Sequence, residues 1–228
     1  MLASGGGTNL QAYLDHLAAA GDRRASDVVL VVSDRQAAGA LERARRRGIP
    51  TALLPSPSRA EAEPLDTLLH RYDVDLLVLA GFLKLVPAEV VRRMHGRILN
   101  VHPALLPSFG GHGMYGERVH KAVIESGART SGVTVHFVDD VYDRGRIIAQ
   151  WPVPVLPGDD APTLAARVLR VEHVLYPRVI EGVAAGRITL ESCAGGRHPP
   201  LHAEQMAFLL ATHAFDALTQ SIDLLLEL

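Results

Sequence analysis

The sequence has little cysteine and no long apolar run, and each shortage excludes a class of protein. Cys193 is the only cysteine among the 228 residues, which excludes an intramolecular disulfide and a multi-cysteine zinc site. No apolar run approaches the roughly 20 residues that span a bilayer, and the chain does not open with a secretion signal. We therefore expect a cytoplasmic protein with no membrane partner.

An excess of positive or negative charge is also lacking, since the formal net charge is only −2. Without a basic field to attract phosphate backbones, no nucleic-acid partner is expected. The chain is 48% hydrophobic and 21% charged, with 20 glycines and 14 prolines, which is typical of a compact soluble domain. Because domains usually hold about 100–200 residues, we expect one domain followed by a tail.

Short apolar runs alternate with segments of helical spacing in the first half of the chain. The runs, at residues 28–32, 76–80 and 98–101, are too short for helices and suit strands buried on both faces. Helices are predicted at residues 9–20, 37–46, 62–72 and 87–94. This order predicts an α/β fold with an open, mostly parallel, Rossmann-like sheet and helices on both faces, in which ligands bind at the carboxyl ends of strands.

The second half predicts an addition to that sheet and a helical end. A helix is expected at residues 117–125, and two strands at residues 133–138 and 147–155 flank a polar turn like a hairpin. Asp160 as N-cap and Pro162 start a helix that runs toward residue 180, and Pro177 is expected to kink or interrupt it. After a linker at residues 195–200, residues 202–228 are predicted to form an amphipathic helical tail. It could cover the sheet, make a homodimer, or substitute for packing lost at the short N-terminus.

A glycine-rich turn from Ser4 to Asn9 leads directly into the first predicted helix. Free N–H groups at a helix N-terminus favour an anion such as phosphate. The three contiguous glycines do not match the dinucleotide-binding fingerprint. The turn is therefore either an anion site or a tight turn without a ligand.

The run Asn100, Val101, His102 and Pro103 ends an apolar strand. Strand alternation places Asn100 and His102 on the same face, where an amide donor could stabilise an oxyanion and an imidazole could move a proton. Acyl transfer to an amine needs both functions. The alternative is a polar strand end whose groups are satisfied by their neighbours.

Carboxylates and further histidines follow in the polar turn and around it. Carboxylates in the run 139–145 could simply be solvated, but one that reached His102 would raise its pKa and orient it. The remaining histidines lack metal-ligand spacing, so no metal is expected, and no binding role is assigned to them. They include His112, His120, His136 and His173.

Five motifs occur together: ASGGGTNLQ, VLAGFLKLVP, ILNVHPALLPSF, SGVTVHFVDDVYDRGRIIAQ and RVEHVLYP. With them the chain resembles the phosphoribosylglycinamide formyltransferase family over about residues 1–190, which leaves residues 191–228 as linker and tail. The resemblance implies a formyltransferase-type sheet and a transferase of de novo purine biosynthesis. It would move the formyl group of the co-substrate 10-formyltetrahydrofolate to the amine of glycinamide ribonucleotide.

The resemblance also implies roles for individual residues. Asn100 would polarise the formyl oxygen, His102 would transfer the proton, and Asp143 would tune His102. The acceptor's phosphate and ribose would be bound by Gly7, Thr8, Asn9 and Glu172. The folate would be bound by Arg59, Leu83, Lys84, Leu85, Val86, Asn100, Asp139, Asp140, Val141, Tyr142 and Asp143.

The sequence departs from the family at its start, and rival functions stay open. Only Met1, Leu2 and Ala3 precede the glycine turn, so a clipped first strand is expected, and Gly6 stands where the family commonly has asparagine. A methionyl-tRNA formyltransferase, a sugar-amine formyltransferase or a formyltetrahydrofolate hydrolase could use the same Asn, His and Asp set. A noncatalytic folate or nucleotide binder is the rival from another class.

Overall fold

The computed structural model describes residues 1–55 and 63–195. Arg59 therefore lies outside the described residues, as does the predicted tail at residues 202–228. Only Gly195 of the predicted linker is described, at the end of a short 3-10 helix, Ser192–Gly195. The division into a domain over residues 1–190 and a following tail stays a prediction.

Strands and helices alternate through the described residues. The strands are β1 (Val31–Ser33), β2 (Thr51–Leu53), β3 (Leu77–Leu79), β4 (Ile98–His102), β5 (Thr130–Phe137) and β6 (Ile147–Pro154). The helices are α1 (Thr8–Ala20), α2 (Gly39–Arg46), α3 (Leu65–Arg71), α4 (Ala88–Arg93), α5 (Glu117–Glu125) and α6 (Ala161–Ala184). A 3-10 turn, Gly21–Arg23, follows α1. The predicted α/β order is confirmed.

The sheet is parallel at one end and antiparallel at the other. β1 pairs with β2, and β3 with β4, in parallel. β5 runs antiparallel to both β4 and β6, so the predicted hairpin-like addition is confirmed. The carboxyl ends of β3 and β4 therefore lie at one edge, where ligands of such sheets bind.

The clipped first strand is a single bridging residue. Leu2 pairs in parallel with both Val32 and Leu79, so it lies between β1 and β3. Its N–H donates to Val78 O at 2.8 Å, and the Ala3 N–H donates to Val32 O at 3.0 Å. The segment is short, yet backbone hydrogen bonds hold it on both sides, directly before the glycine turn.

Helices cover both faces of the sheet, as predicted. Val78 packs in a core cluster with buried residues of α1 and α6, such as Tyr13 and Leu175. Its neighbours Leu77 and Leu79 pack in a second cluster with residues of α3 and α4. Because adjacent residues of a strand point to opposite faces, the two clusters lie on opposite sides of β3.

Helix α6 starts at the predicted cap and continues past the predicted break. The Asp160 carboxylate accepts a hydrogen bond from the Thr163 N–H at 2.9 Å. In return, the Thr163 hydroxyl accepts a hydrogen bond from the Asp160 N–H. Of the two effects expected at Pro177, a kink or an interruption, the interruption is wrong, because α6 continues to Ala184. Proline removes a helix hydrogen bond, but Pro177 and its neighbour Tyr176 are buried, and tertiary packing of this kind stabilises helices.

Candidate active site

A cavity of about 730 Å³ opens at the carboxyl edge of β3 and β4. Sites for small molecules commonly have volumes of about 300–1,000 Å³. The wall consists of residues 5–9, 79–86, 100–103 and 111–118, His120, His136, most of residues 138–143, and one side of α6 from Pro162 to Glu172. Most residues that the sequence singled out therefore meet around one cavity.

Polar side chains from β4 and β5 form one wall of this cavity. The antiparallel register places Asn100 opposite His136 and His102 opposite Thr134. Residues two apart on a strand point to the same face. The predicted common face of Asn100 and His102 is confirmed, since both line the cavity.

The Asn100 amide lies between an imidazole and a carboxylate. Its Nδ2 is 3.1 Å from His136 Nε2 and 3.5 Å from Asp143 Oδ1. The second contact is long for a hydrogen bond, so His136 is the close partner. The structure thus brings Asn100 and Asp143 together and adds His136, a histidine to which no role was assigned from the sequence.

His102 is buried between two acceptors. Its Nε2 is 2.8 Å from Phe109 O, and its Nδ1 is 3.5 Å from Asp143 Oδ2. Burial lowers the His102 pKa, while Asp143 and the Phe109 carbonyl raise it, and the net direction is down. The predicted contact with a carboxylate is present and Asp143 raises the His102 pKa as expected, but desolvation of the imidazolium, which the sequence did not show, outweighs it.

Asp143 is held in place by its backbone and by three neighbours. Its φ is 55°, in the left-handed region that aspartate tolerates better than most residues. The Gly111 N–H donates to Oδ2 at 2.8 Å. Burial raises the pKa of Asp143, but His136, the Gly111 N–H and His102 together lower it more, so the pKa lies below its ordinary value. This carboxylate is therefore part of the site rather than a solvated turn residue.

Thr134 fixes the segment that follows β4. Its hydroxyl donates to Ala104 O at 2.7 Å and accepts from Leu106 N at 3.0 Å and from Gln150 Nε2 at 3.0 Å. A buried hydroxyl with these partners carries no unpaired polar group. The chain leaving His102 is consequently tied to both β5 and β6.

The glycine turn packs closely on α2. Gly7 has φ 73°, and a Cβ there would lie 2.6 Å from Ala40 Cα, so only glycine fits this position. The turn ends in the first N–H groups of α1, which have no partners within the helix. Arg43 of α2 donates from Nε to Gly6 O at 2.8 Å. A cation thus lies beside the turn to which an acceptor phosphate was assigned.

Glu172 and Asn9 meet across 163 residues of sequence. Asn9 Nδ2 donates to Glu172 Oε2 at 2.7 Å, while Asn9 Oδ1 is buried without a hydrogen-bond partner. Burial raises the pKa of Glu172 to about 7, and the Asn9 hydrogen bond only partly opposes this. The residues predicted to bind the acceptor's phosphate and ribose therefore lie together.

The segments predicted to bind folate also line the cavity. Leu83, Lys84, Leu85 and Val86 lie on one side, and Asp139, Val141, Tyr142 and Asp143 on another. Asp140 is exposed and is not among the lining residues. Leu85 is 51% exposed and Val141 is 58% exposed, and exposed apolar side chains at a cavity mouth suit an apolar ring system.

The sequence missed the loop at residues 110–116 and three histidines around the cavity. The rings of His112 and Tyr142 meet edge to face, with centroids 5.7 Å apart. His120 is buried, with Nδ1 lacking a hydrogen-bond partner. The sequence pattern that could have identified His136 as a site residue was its alternation with Thr134 along β5.

In residues 1–55 and 63–195 no group of three or more His, Cys, Asp or Glu could hold a metal ion.

An amide donor, an imidazole and a carboxylate converge at the carboxyl edge of an α/β sheet, which defines a site suited to acyl-group transfer to an amine. The formyl transferase family model matches residues 1–180. The chain belongs to the formyl transferase family.

Two plant enzymes are similar to this chain over most of its length. The chain is 48% identical over 193 residues to the chloroplastic phosphoribosylglycinamide formyltransferase of Vigna unguiculata, covering 81% of this chain and 60% of that protein. The Arabidopsis thaliana enzyme of the same name is 47% identical, covering 81% of this chain and 64% of that protein. The chain thus spans under two thirds of these relatives' length.

Solved structures agree with the fold. Glycinamide ribonucleotide transformylase 1 from Symbiobacterium toebii is 42% identical with a TM-score of 0.72, covering 82% of this chain and 86% of that chain. Phosphoribosylglycinamide formyltransferase from Anaplasma phagocytophilum is 36% identical with a TM-score of 0.73, at the same coverage of 82% and 86%. The predicted formyltransferase-type sheet is confirmed.

Proposed function

We propose that this chain transfers the formyl group of 10-formyltetrahydrofolate to the amine of glycinamide ribonucleotide, in purine biosynthesis. The observation that carries the proposal is the convergence of Asn100, His102 and Asp143 in the same cavity as Asn9 and Glu172. A formyl-transfer set and an acceptor-binding set then face one another. The names of the plant relatives support the same reaction.

The acceptor end suits a sugar phosphate. Free N–H groups at the start of α1 favour a phosphate, and the Arg43 guanidinium beside Gly6 adds positive charge. The Glu172 carboxyl can accept hydrogen bonds from ribose hydroxyls, and the unpartnered Asn9 Oδ1 needs a donor. An acceptor with both phosphate and hydroxyl groups meets these requirements.

The folate end suits an apolar ring system with polar edges. Residues Leu83 to Val86 follow β3, and the Leu83 N–H is held by the Ser4 hydroxyl at 3.1 Å. The facing wall, from Asp139 to Asp143, supplies carboxylates and backbone groups. The 10-formyltetrahydrofolate co-substrate fits between these segments, with its formyl group toward Asn100. We propose the other folate contacts, at Arg59 and Asp140, from the resemblance alone.

The chemistry follows from the three residues at the reaction end. The acceptor's amine nitrogen attacks the formyl carbon, a carbon–nitrogen bond forms, and the formyl oxygen gains negative charge that Asn100 Nδ2 stabilises. His102, whose lowered pKa favours the neutral imidazole, accepts the proton that the amine nitrogen loses. Cleavage of the bond to N10 releases tetrahydrofolate, and N10 receives the proton from His102. Asp143 stabilises the transient imidazolium.

A direct assay tests the proposal. Purified full-length chain is given 10-formyltetrahydrofolate with and without glycinamide ribonucleotide, while the folate absorbance is followed, beside a His102→Ala variant. We expect turnover that requires the acceptor and is lost in the variant. Formyl loss without acceptor would instead indicate a hydrolase, and no turnover in either mixture would favour a noncatalytic binder.

Location and assembly complete the proposal. In the part of the chain that the structure describes, no helix is long and apolar enough to cross a membrane. We propose a cytoplasmic enzyme that acts on two small molecules without a metal, a nucleic acid or a membrane. A homodimer through the tail is a further proposal, which sedimentation of intact and tail-deleted chain would test.

A further inference from the structure

We propose that His136 is a positioning residue that fixes the orientation of the Asn100 amide, so that one Nδ2 hydrogen lies on the imidazole and the other is directed at the formyl oxygen. The inference rests on the proposed function. His136 acts through Asn100, which lies directly opposite it on the neighbouring strand. The imidazole is buried, so the contact is shielded from competing water.

The hydrogen bonds of the ring assign its tautomer. His136 Nδ1 is 2.7 Å from Phe137 O. A carbonyl oxygen can only accept, so Nδ1 carries the hydrogen. In the neutral ring Nε2 then presents a lone pair, and it lies 3.1 Å from Asn100 Nδ2. Asp143 Oδ1 is 3.6 Å from the same Nε2, which is beyond the usual hydrogen-bond distance, so the imidazole accepts from the amide of Asn100.

The Phe137 carbonyl that orients the ring is itself closely held. The Phe137 N–H donates to Arg146 O at 2.8 Å. A side chain at Gly145 would overlap the Phe137 carbonyl oxygen, so glycine permits this close approach. The register of β5 against β6 shifts between Val135 and His136, whereas its register against β4 is regular there, so Asn100 and His136 stay directly opposite.

The opposite orientation of the amide is disfavoured. A half-turn of Asn100 would set its carbonyl oxygen against the His136 Nε2 lone pair and against Asp143 Oδ1, and both are acceptors. Burying such groups without a donor is unfavourable. In the observed orientation the second Nδ2 hydrogen has only the 3.5 Å contact with Asp143. That hydrogen is the one available to the oxyanion.

Substitution of His136 tests this role. Removing an oxyanion donor costs about a hundred- to thousandfold in turnover, and loosening one should cost less, about ten- to hundredfold in kcat for His136→Phe. We expect KM for both substrates to stay within about threefold, because ground-state binding is made elsewhere in the cavity. His136→Gln offers a side-chain carbonyl as acceptor, so it should recover most of the loss.

A double-mutant cycle separates positioning from structural support. In an Asn100→Ala background, His136→Phe should change kcat by less than about twofold, because the group it positions is already gone. Equal losses in both backgrounds would overturn the proposal. The control is Val135→Ala, a fully buried neighbour on the opposite face of β5, which should lower the unfolding midpoint and keep kcat.

Nitrogen-15 NMR of the histidine rings in the full chain gives a readout that does not depend on activity. We expect the Nδ1–H tautomer for His136, and an Nε2–H tautomer or a doubly protonated ring would overturn the assigned orientation. If His136→Phe does not fold, the kcat of His136→Gln and the tautomer of His136 in the wild-type chain still test the proposal. Wild-type chain without acceptor-dependent transfer would contradict the proposed function, whereas full activity of His136→Phe would contradict only this inference.

Discussion

The two ends of the cavity are built differently. The reaction end lies on β4 and β5, where Asn100, His102 and Thr134 each have partners on neighbouring segments. The acceptor end lies on the glycine turn and α6, where Asn9 Oδ1 has no hydrogen-bond partner and the buried Glu172 has a raised pKa. The three side chains named at the reaction end are paired within the protein, and Asn9 Oδ1 at the acceptor end is not.

The difference fits the work proposed for each end. Groups that stabilise a developing charge are most effective when they are oriented before the reaction begins. Groups that bind a ground-state substrate can obtain their last hydrogen bonds from that substrate. Substitutions at the reaction end should therefore change kcat, and substitutions at the acceptor end should change acceptor affinity and stability.

Asn100→Ala should have the largest effect. It removes the amide donor at the formyl oxygen, so kcat should fall about a hundred- to thousandfold. Acceptor affinity, measured by calorimetry, should stay nearly unchanged. Asn9→Ala is the matched variant at the other end and should weaken acceptor binding more than it lowers kcat. If both variants weakened acceptor binding equally, the division between the two ends would be wrong.

Asp143→Asn should have the next largest effect, about a hundredfold in kcat/KM, at the lower end of what general acid–base groups contribute. The amide oxygen can still accept from the Gly111 N–H, so the local backbone should persist. Because Asp143 raises the pKa of His102, its removal should lower that pKa further. The acid limb of the kcat/KM profile should therefore move to lower pH, and an unchanged limb would contradict the assigned contact.

Much of the fold follows from patterns within single segments. The bounds of α5 at residues 117–125 agree with the prediction because that helix has clear apolar spacing and a glycine before it. Strand β2 (Thr51–Leu53) was missed, since three partly buried residues show no period. The interruption expected at Pro177 was wrong because a local rule does not include the packing of α6 on the core.

The site was predicted less completely, because its contacts join distant segments. Motifs gave Asn100, His102 and Asp143, and the structure brings them together. His136 resembled a buried strand histidine, and only the antiparallel register with β4 places it opposite Asn100. The lowered pKa of His102 likewise depends on burial, which the sequence could not supply.

Glu172→Gln should separate stability from function at the acceptor end. The folded-state pKa of Glu172 is about 7, above the ordinary 4.5, so its stabilising contribution is present below about pH 4.5 and is lost as the pH rises through 7. The neutral glutamine avoids this loss and should be more stable than wild type at pH 8, by about 3 kcal/mol. Urea unfolding of wild type and Glu172→Gln at pH 8 and at pH 4.5 measures this difference in stability.

The same Glu172→Gln variant should bind the acceptor more weakly, because an amide is a poorer acceptor for ribose hydroxyls than a carboxylate. Higher stability of Glu172→Gln at pH 8, together with weaker acceptor binding, would support the contrast between the two ends of the cavity. Equal stability of both proteins at pH 8 would mean that Glu172 is not a buried charge in the folded chain.

The smallest effects are expected in the folate-facing turn, where two adjacent aspartates should differ. Asp139 lines the cavity, and its Oδ1 accepts from Val141 N at 2.9 Å, whereas Asp140 is exposed and lies outside the lining. Losing one hydrogen bond of about 1 kcal/mol corresponds to about a fivefold rise in KM for 10-formyltetrahydrofolate in Asp139→Ala. Asp140→Ala should change that KM by less than about twofold, as surface substitutions usually do. Equal rises would show that the turn binds folate through both carboxylates, and the reverse order would mean that the turn rearranges when folate binds.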